Sequence, residues 1–179
     1  MKSSIFHVWC RLAVLVLLAS AAVHVWTFLG IDPIRDRWVF VLHGLMFLPF
    51  AAGLIYARRV EPDRKKLLRI LFHAPKWAVA LSAVVFVYAL ANSAISLSGG
   101  DLGFAEIRGG KYVLVNHGQV IRELSQREFE QRRAHGIRWF SALWMVFSCV
   151  GLTFLLAAAK AKARNEQVEA AALPIASSE

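Results

Sequence analysis

Four apolar blocks, residues 12–31, 38–57, 77–97 and 139–159, contain no Asp, Glu, Lys or Arg, and this limits the folds open to the chain. Each approaches the roughly 20 residues an α-helix needs to cross the hydrocarbon core of a bilayer. In hydrocarbon every backbone N–H and C=O must be satisfied internally, so uninterrupted apolar runs of this length are expected as helices. Composition agrees: 58% of the 179 residues are apolar and mean hydropathy is +0.51, whereas soluble domains hold roughly 45–50% apolar residues. The first block outruns the apolar core of a cleaved signal sequence, about 7–15 residues. His24, Trp26 and Phe28 also stand where a small-residue cleavage site belongs. It is expected to remain as a span.

A net charge of +9 would suit a nucleic-acid partner, but its placement argues for the lipid bilayer instead. The basic residues lie in short connections beside the apolar blocks, where Lys and Arg set topology by staying cytoplasmic. In the first connection Asp32 and Asp36 balance Arg35 and Arg37, and Pro33 suits a tight turn. The second, residues 58–76, sets Arg58, Arg59, Arg64, Lys65, Lys66, Arg69 and Lys76 against Glu61 and Asp63 alone. Asp63 is placed to start a short helix there. Leu67, Leu68, Ile70, Leu71 and Phe72 would give that helix the apolar surface of a segment lying among lipid headgroups. Lys160, Lys162 and Arg164 follow the last block. These signals place the second connection and both termini in the cytoplasm, N-in and C-in. Seven basic residues in the long insert run the other way, and weigh less because that insert is longer and folded.

The insert, residues 98–138, is the one long polar stretch. Gly99 and Gly100 offer a flexible exit from span three. "FAEI" and "KYVLV" are rich in β-branched and aromatic residues with the turn "RGG" between them. Asn116-His117-Gly118 fits a three-residue hairpin loop, followed by "QVIREL" as a return strand. Ser125 with Glu128 three residues on is a capping box. No Pro interrupts residues 126–161, so one long helix should start there and become span four, with Gly136 a candidate kink. The expected fold is an all-α membrane bundle of four transmembrane helices with a small extracytoplasmic β-meander between spans three and four. Residues 1–97 hold the first three spans, 98–138 the meander and helix, 139–160 span four, and 161–179 a tail expected to be disordered after a frayed helical start.

Candidate chemistry is sparse. His24 and His43 fall at similar depth on neighbouring antiparallel spans, and two facing imidazoles are what axial haem ligation requires. The competing reading is that each ring hydrogen-bonds a neighbouring helix. Asn92, Ser93 and Ser96 are expected to bridge helices, and Ala19, Ser20, Ala21 and Ala22 to let helices approach closely. Cys10 and Cys149 lack ligand-spaced neighbours and are expected as unpaired thiols. His117 and Ser125 have no carboxylate or nucleophile elbow to make a hydrolase, so Asn116 and His117 read as turn residues. On the sheet, Tyr112 and Leu114 point to one side, Val113 and Val115 to the other, and one side should be open to a partner. Arg108, Tyr112 and Arg122 are the anchors expected there, with Asn116 and His117 at the loop and Arg132, beside Arg133 and His135, on the juxtamembrane helix.

With "GGKYVLVNHGQVIREL…FE" between its last two spans, the chain resembles small four-span bacterial inner-membrane proteins of unknown role. It is similar in plan to polytopic immunity proteins that guard an inner membrane against toxins delivered by type VI secretion. That resemblance implies a non-enzymatic protein without a cofactor, binding a protein partner such as a pore-forming toxin on the extracytoplasmic side. The alternative from another class is a haem b or quinone-binding redox subunit using His24 and His43.

Overall fold

A computed structural model describes residues 3–30, 36–63, 65–98 and 103–172. The chain is mostly helical, with four long apolar helices and a three-stranded antiparallel sheet. Helix α1, Ser3–Trp26, ends in a 3-10 turn at Thr27–Leu29; α2 spans Asp36–Val60, a 3-10 helix Leu67–His73, and α3 Lys76–Ser98. Strands β1, Phe104–Arg108, β2, Lys111–Asn116, and β3, Gln119–Glu123, precede α4, Gln126–Ala172. All four α-helices are long and apolar enough to cross a membrane.

The molecule is assembled around α4, whose 47 residues give a length of about 70 Å. It packs against the other three helices, the 3-10 connection and the sheet. Its inward side chains run through three apolar clusters: Trp144 with Val16 and Met46, Met145 with Ala89, and Phe154 with Ala57 and Ile70. Helices α2 and α4 cross with almost no side chain between them. A Cβ at Gly151 would lie 2.8 Å from the Phe50 backbone, and one at Gly53 2.5 Å from the Gly151 carbonyl oxygen. Small residues at a crossing permit this approach. The expected small-residue patch on α1 contributes only half its face, since Ser20 and Ala21 turn inward while Ala19 and Ala22 are exposed.

Helix α3 is held differently. It packs chiefly on α4 and buries little apolar surface beyond Ala78 and Ala89. Polar bonds join the two along their length: Ser82 Oγ lies 2.9 Å from Thr153 Oγ1, and Trp139 Nε1 donates to Ser93 Oγ at 2.9 Å.

The sheet has order β1-β2-β3 with two-residue turns. Gly109 and Gly110 have φ of 57° and 78°, and His117 and Gly118 have 49° and 82°. Paired positive φ values mark the primed turns that match strand twist. The expected three-residue loop is thus shortened, because Asn116 pairs with Gln119 as a rung of the ladder. The capping box forms as expected: the Ser125 N–H donates to Glu128 Oε2 at 2.9 Å and the Glu128 N–H to Ser125 Oγ at 3.2 Å. Helix α4 passes unbroken through Gly136.

The helical start expected for the tail runs to Ala172 as part of α4, since its Ala, Glu, Lys and Arg are strong helix formers. The short helix expected after Asp63 is the 3-10 helix Leu67–His73, preceded by a bond from the Lys65 N–H to Asp63 Oδ1 at 2.9 Å. The turn at Pro33, the exit at Gly99 and Gly100, and residues 173–179 lie outside the described residues.

Candidate functional site

The sheet is fixed to the start of α4 by its inward face. Cross-strand register puts Ala105, Leu114 and Arg122 in one row and Ile107 and Tyr112 in the next. Leu114 is fully buried with Leu124 and Phe129, and the Tyr112 ring lies 4.6 Å from that of Phe129 at 34°. The Leu124 N–H donates to the Tyr112 carbonyl at 2.8 Å. Arg122 reaches Glu128 Oε1 at 3.0 Å, so one carboxylate caps the helix and ties it to β3. The Ser125 backbone N–H first, then the Arg122 guanidinium and Ser125 hydroxyl, hold the Glu128 carboxyl at about 2, below its ordinary 4.5.

The outward face presents three rows. Phe104, Val115 and Val120 form an apolar row, Glu106, Val113 and Glu123 the next, and Arg108 and Lys111 the last. Val113 and Val115 are buried, while Phe104 is 76% and Val120 51% exposed. The charges pair on the face itself: Arg108 Nε with Glu106 at 3.0 Å, and Lys111 with Glu123. Arg108 also donates to the Gly118 carbonyl at 3.0 Å, which ties the two turns together.

Two of the expected partner residues therefore move off the open face. Tyr112 and Arg122 belong to the inward one, Tyr112 stacking on Phe129 and Arg122 holding Glu128. Arg108 faces outward, His117 is exposed at the turn, Asn116 is half-buried beside it, and Arg132 is half-buried on α4. Phe104 and Val120 were missed by sequence reasoning. Phe104 had alternation as its signal, one residue before the inward Ala105. Val120 lies two before the inward Arg122 and joins the row of Val115 only through the register shift between Leu114 and Val115. Strand β2 is apolar on both faces and does not say which is covered.

Beneath the sheet, a polar layer joins three helices. Arg138 of α4 donates to the Thr27 carbonyl at 2.7 Å and Thr27 Oγ1 at 3.1 Å, with its guanidinium 4.1 Å from the Phe28 ring centroid. It thus meets the carbonyl end of α1, where the helix dipole favours a cation. The Thr27 hydroxyl in turn donates to the His24 carbonyl at 2.6 Å. His24, 5% exposed, places Nδ1 2.9 Å from Ser141 Oγ and Nε2 2.5 Å from the Tyr88 hydroxyl. The Ser141 hydroxyl donates to the Arg138 carbonyl at 3.0 Å. Its single proton being spent there, Nδ1 is the donor toward Ser141 and Nε2 accepts from Tyr88.

His43 faces elsewhere. Its Nδ1 accepts from Trp144 Nε1 at 3.2 Å, and its ring packs edge-on against Phe47 and Phe140. The two imidazoles thus address different neighbours rather than each other. Axial ligation uses a ring nitrogen's lone pair, and here Tyr88 occupies Nε2 of His24 and Trp144 occupies Nδ1 of His43. Each ring hydrogen-bonds a neighbouring helix, the competing reading for both residues: His24 meets Tyr88 and Ser141, and His43 meets Trp144. Among the described residues no three His, Cys, Asp or Glu side chains stand together. Cys10 and Cys149 are free thiols.

Comparison of the chain with protein-family models, with curated proteins and with solved structures gives no match.

Proposed function

We propose that this chain is a four-span protein of the bacterial inner membrane, N-in and C-in, that binds a protein partner through its extracytoplasmic sheet and performs no chemistry of its own. The membrane reading is supported by the surface of the helices. Leu15, Leu18, Phe40, Ile55, Val84 and Val87 all face outward, forming more exposed apolar surface than a soluble monomer carries. The excess of Lys and Arg in residues 58–76 supports the orientation.

The observation that carries the binding reading is the fixed sheet with Phe104 and Val120 exposed on either side of the buried Val115 in one cross-strand row. An apolar strip beside charged residues on a rigid mount has the makeup of a protein interface: a dry centre and a polar rim. Its charges pair with one another before any partner arrives, so Phe104 and Val120 are the anchors and Arg108 and Lys111 the rim. Replacing both anchors, Phe104→Asp with Val120→Asp, should abolish association while leaving the purified protein monodisperse. Undiminished association in that variant would refute the proposal. On the resemblance in plan to immunity proteins, a pore-forming toxin is the sharpest candidate. Deletion should then sensitise cells to toxin-delivering neighbours while growth alone stays normal, and unchanged survival in competition would remove that version.

A further inference from the structure

The end of the bundle away from the sheet carries a second exposed surface of a different kind. The 3-10 helix Leu67–His73 is docked there by Ile70, which is buried against Ala57, Ala74, Phe154 and Ala158. With Ile70 turned inward, Leu68 and Phe72 turn out and are 69% and 89% exposed. Phe72 is the most exposed large apolar side chain described in the molecule. Lys65, Lys66 and Arg69 are exposed on the same short segment. The end of α2 adds Arg58 and Arg59, and α4 adds Lys160, also exposed.

We infer that this connection is an anionic-phospholipid site, with Leu68 and Phe72 entering the acyl boundary and Lys65 and Arg69 meeting headgroup phosphates. The inference rests on the membrane reading above and adds the lipid class. Three observations favour lipid over a soluble polyanion. The segment is held against helices of spanning length, at their end, where a headgroup layer lies. Its basic residues outnumber acids seven to two over residues 58–76, which suits a negative surface. Two large apolar side chains point outward between those bases, and a soluble polyanion leaves an aliphatic Leu68 with nothing to cover it, whereas an interfacial segment buries exactly such residues among acyl chains.

The test is a nitroxide placed in turn at positions 65, 72 and 84 of the full-length chain, with Cys10 and Cys149 replaced by Ala. Accessibility to oxygen and to a water-soluble nickel chelate is read in nanodiscs of phosphatidylcholine alone or mixed with phosphatidylglycerol. The label at 84, in the middle of α3, reports the membrane reading itself. The expected result is lipid depth at 84 in both bilayers, headgroup-to-acyl depth at 72 only with phosphatidylglycerol, and water at 65. The exposed pair Lys65→Glu with Arg69→Glu should return position 72 to water, consistent with about a five-fold loss of surface affinity per base removed. Lipid depth at 84 with water at 72 in both bilayers would overturn the inference and leave the membrane reading standing. Water at 84 would overturn both. Depth at 72 that ignores phosphatidylglycerol, or protection of 72 by added oligonucleotide instead, would overturn the anionic-lipid assignment.

Discussion

The two ends of α4 both expose apolar side chains among charges, but they arrange those charges in opposite ways. At the sheet end each base on the strands has an acid at hand: Arg108 with Glu106, Lys111 with Glu123, Arg122 with Glu128. At the other end Lys66 pairs with Asp63 and Lys162 with Glu166, yet basic residues dominate the connection. A charge-balanced face on a fixed backbone discriminates by shape and by the placement of individual groups. A face with surplus positive charge on one short turn responds to a field, and a negative bilayer surface supplies one. The difference is why we read the sheet as a protein-recognition surface and the connection as a lipid-facing one.

The largest expected effect on this contrast comes from unseating the sheet. Leu114 is fully buried beneath it, so Leu114→Ala should cost about 2–5 kcal/mol of local stability. Amide exchange should show β2 losing protection while α2 keeps it. Loss of protection in both would mean that the sheet and bundle unfold as one unit and that the two ends are not separable. Ile70→Ala is the mirror experiment. It removes the side chain that docks the connection, at about 2 kcal/mol, the low end of the range because a short segment can settle into the gap. It should leave the exchange of β2 unchanged.

Smaller effects sharpen the contrast. Arg122→Ala breaks an exposed pair with Glu128, worth at most about 1 kcal/mol, and should loosen β3 before it affects the helices. Glu128 sets the acid limit of the same junction. Its carboxyl is lower in the folded protein than its ordinary 4.5, at about 2, so its contribution is complete above pH 4.5 and declines as pH falls toward 2. The chemical shift of its side-chain carbon should titrate in that low window, and Glu128→Gln should remove the pH dependence. A midpoint near 4.5 would show that the capping box and Arg122 contact do not persist in solution.

Much of this architecture was legible in the sequence, and the parts that were not share a physical cause. Charge-free blocks announce helices of spanning length because nothing else satisfies a backbone in hydrocarbon. Ser125 and Glu128 announced the start of α4 because a capping box is a local device. The open face of the sheet was not legible, since Val113, Leu114 and Val115 are all apolar and alternation could not orient β2. The contacts of Leu114 and Tyr112 with Phe129, tertiary events, decide it. The depth match of His24 and His43 was readable, but their rotation about the helix axes was not, and rotation sends one ring to Tyr88 and the other to Trp144. Gly53 and Gly151 could not be paired without knowing that α2 crosses α4 there. The helical start of the tail was legible in its composition, and its reach to Ala172 follows from the same helix-forming residues.

The most direct measurement is photo-crosslinking in whole cells with p-benzoylphenylalanine at position 104 or at position 72. The two ends should give different products. Position 104 should yield a discrete protein adduct that disappears when Val120→Asp is added, and position 72 should yield lipid adducts alone. Lipid adducts alone from position 104, or the same protein adduct from both positions, would contradict the division of labour between the two ends.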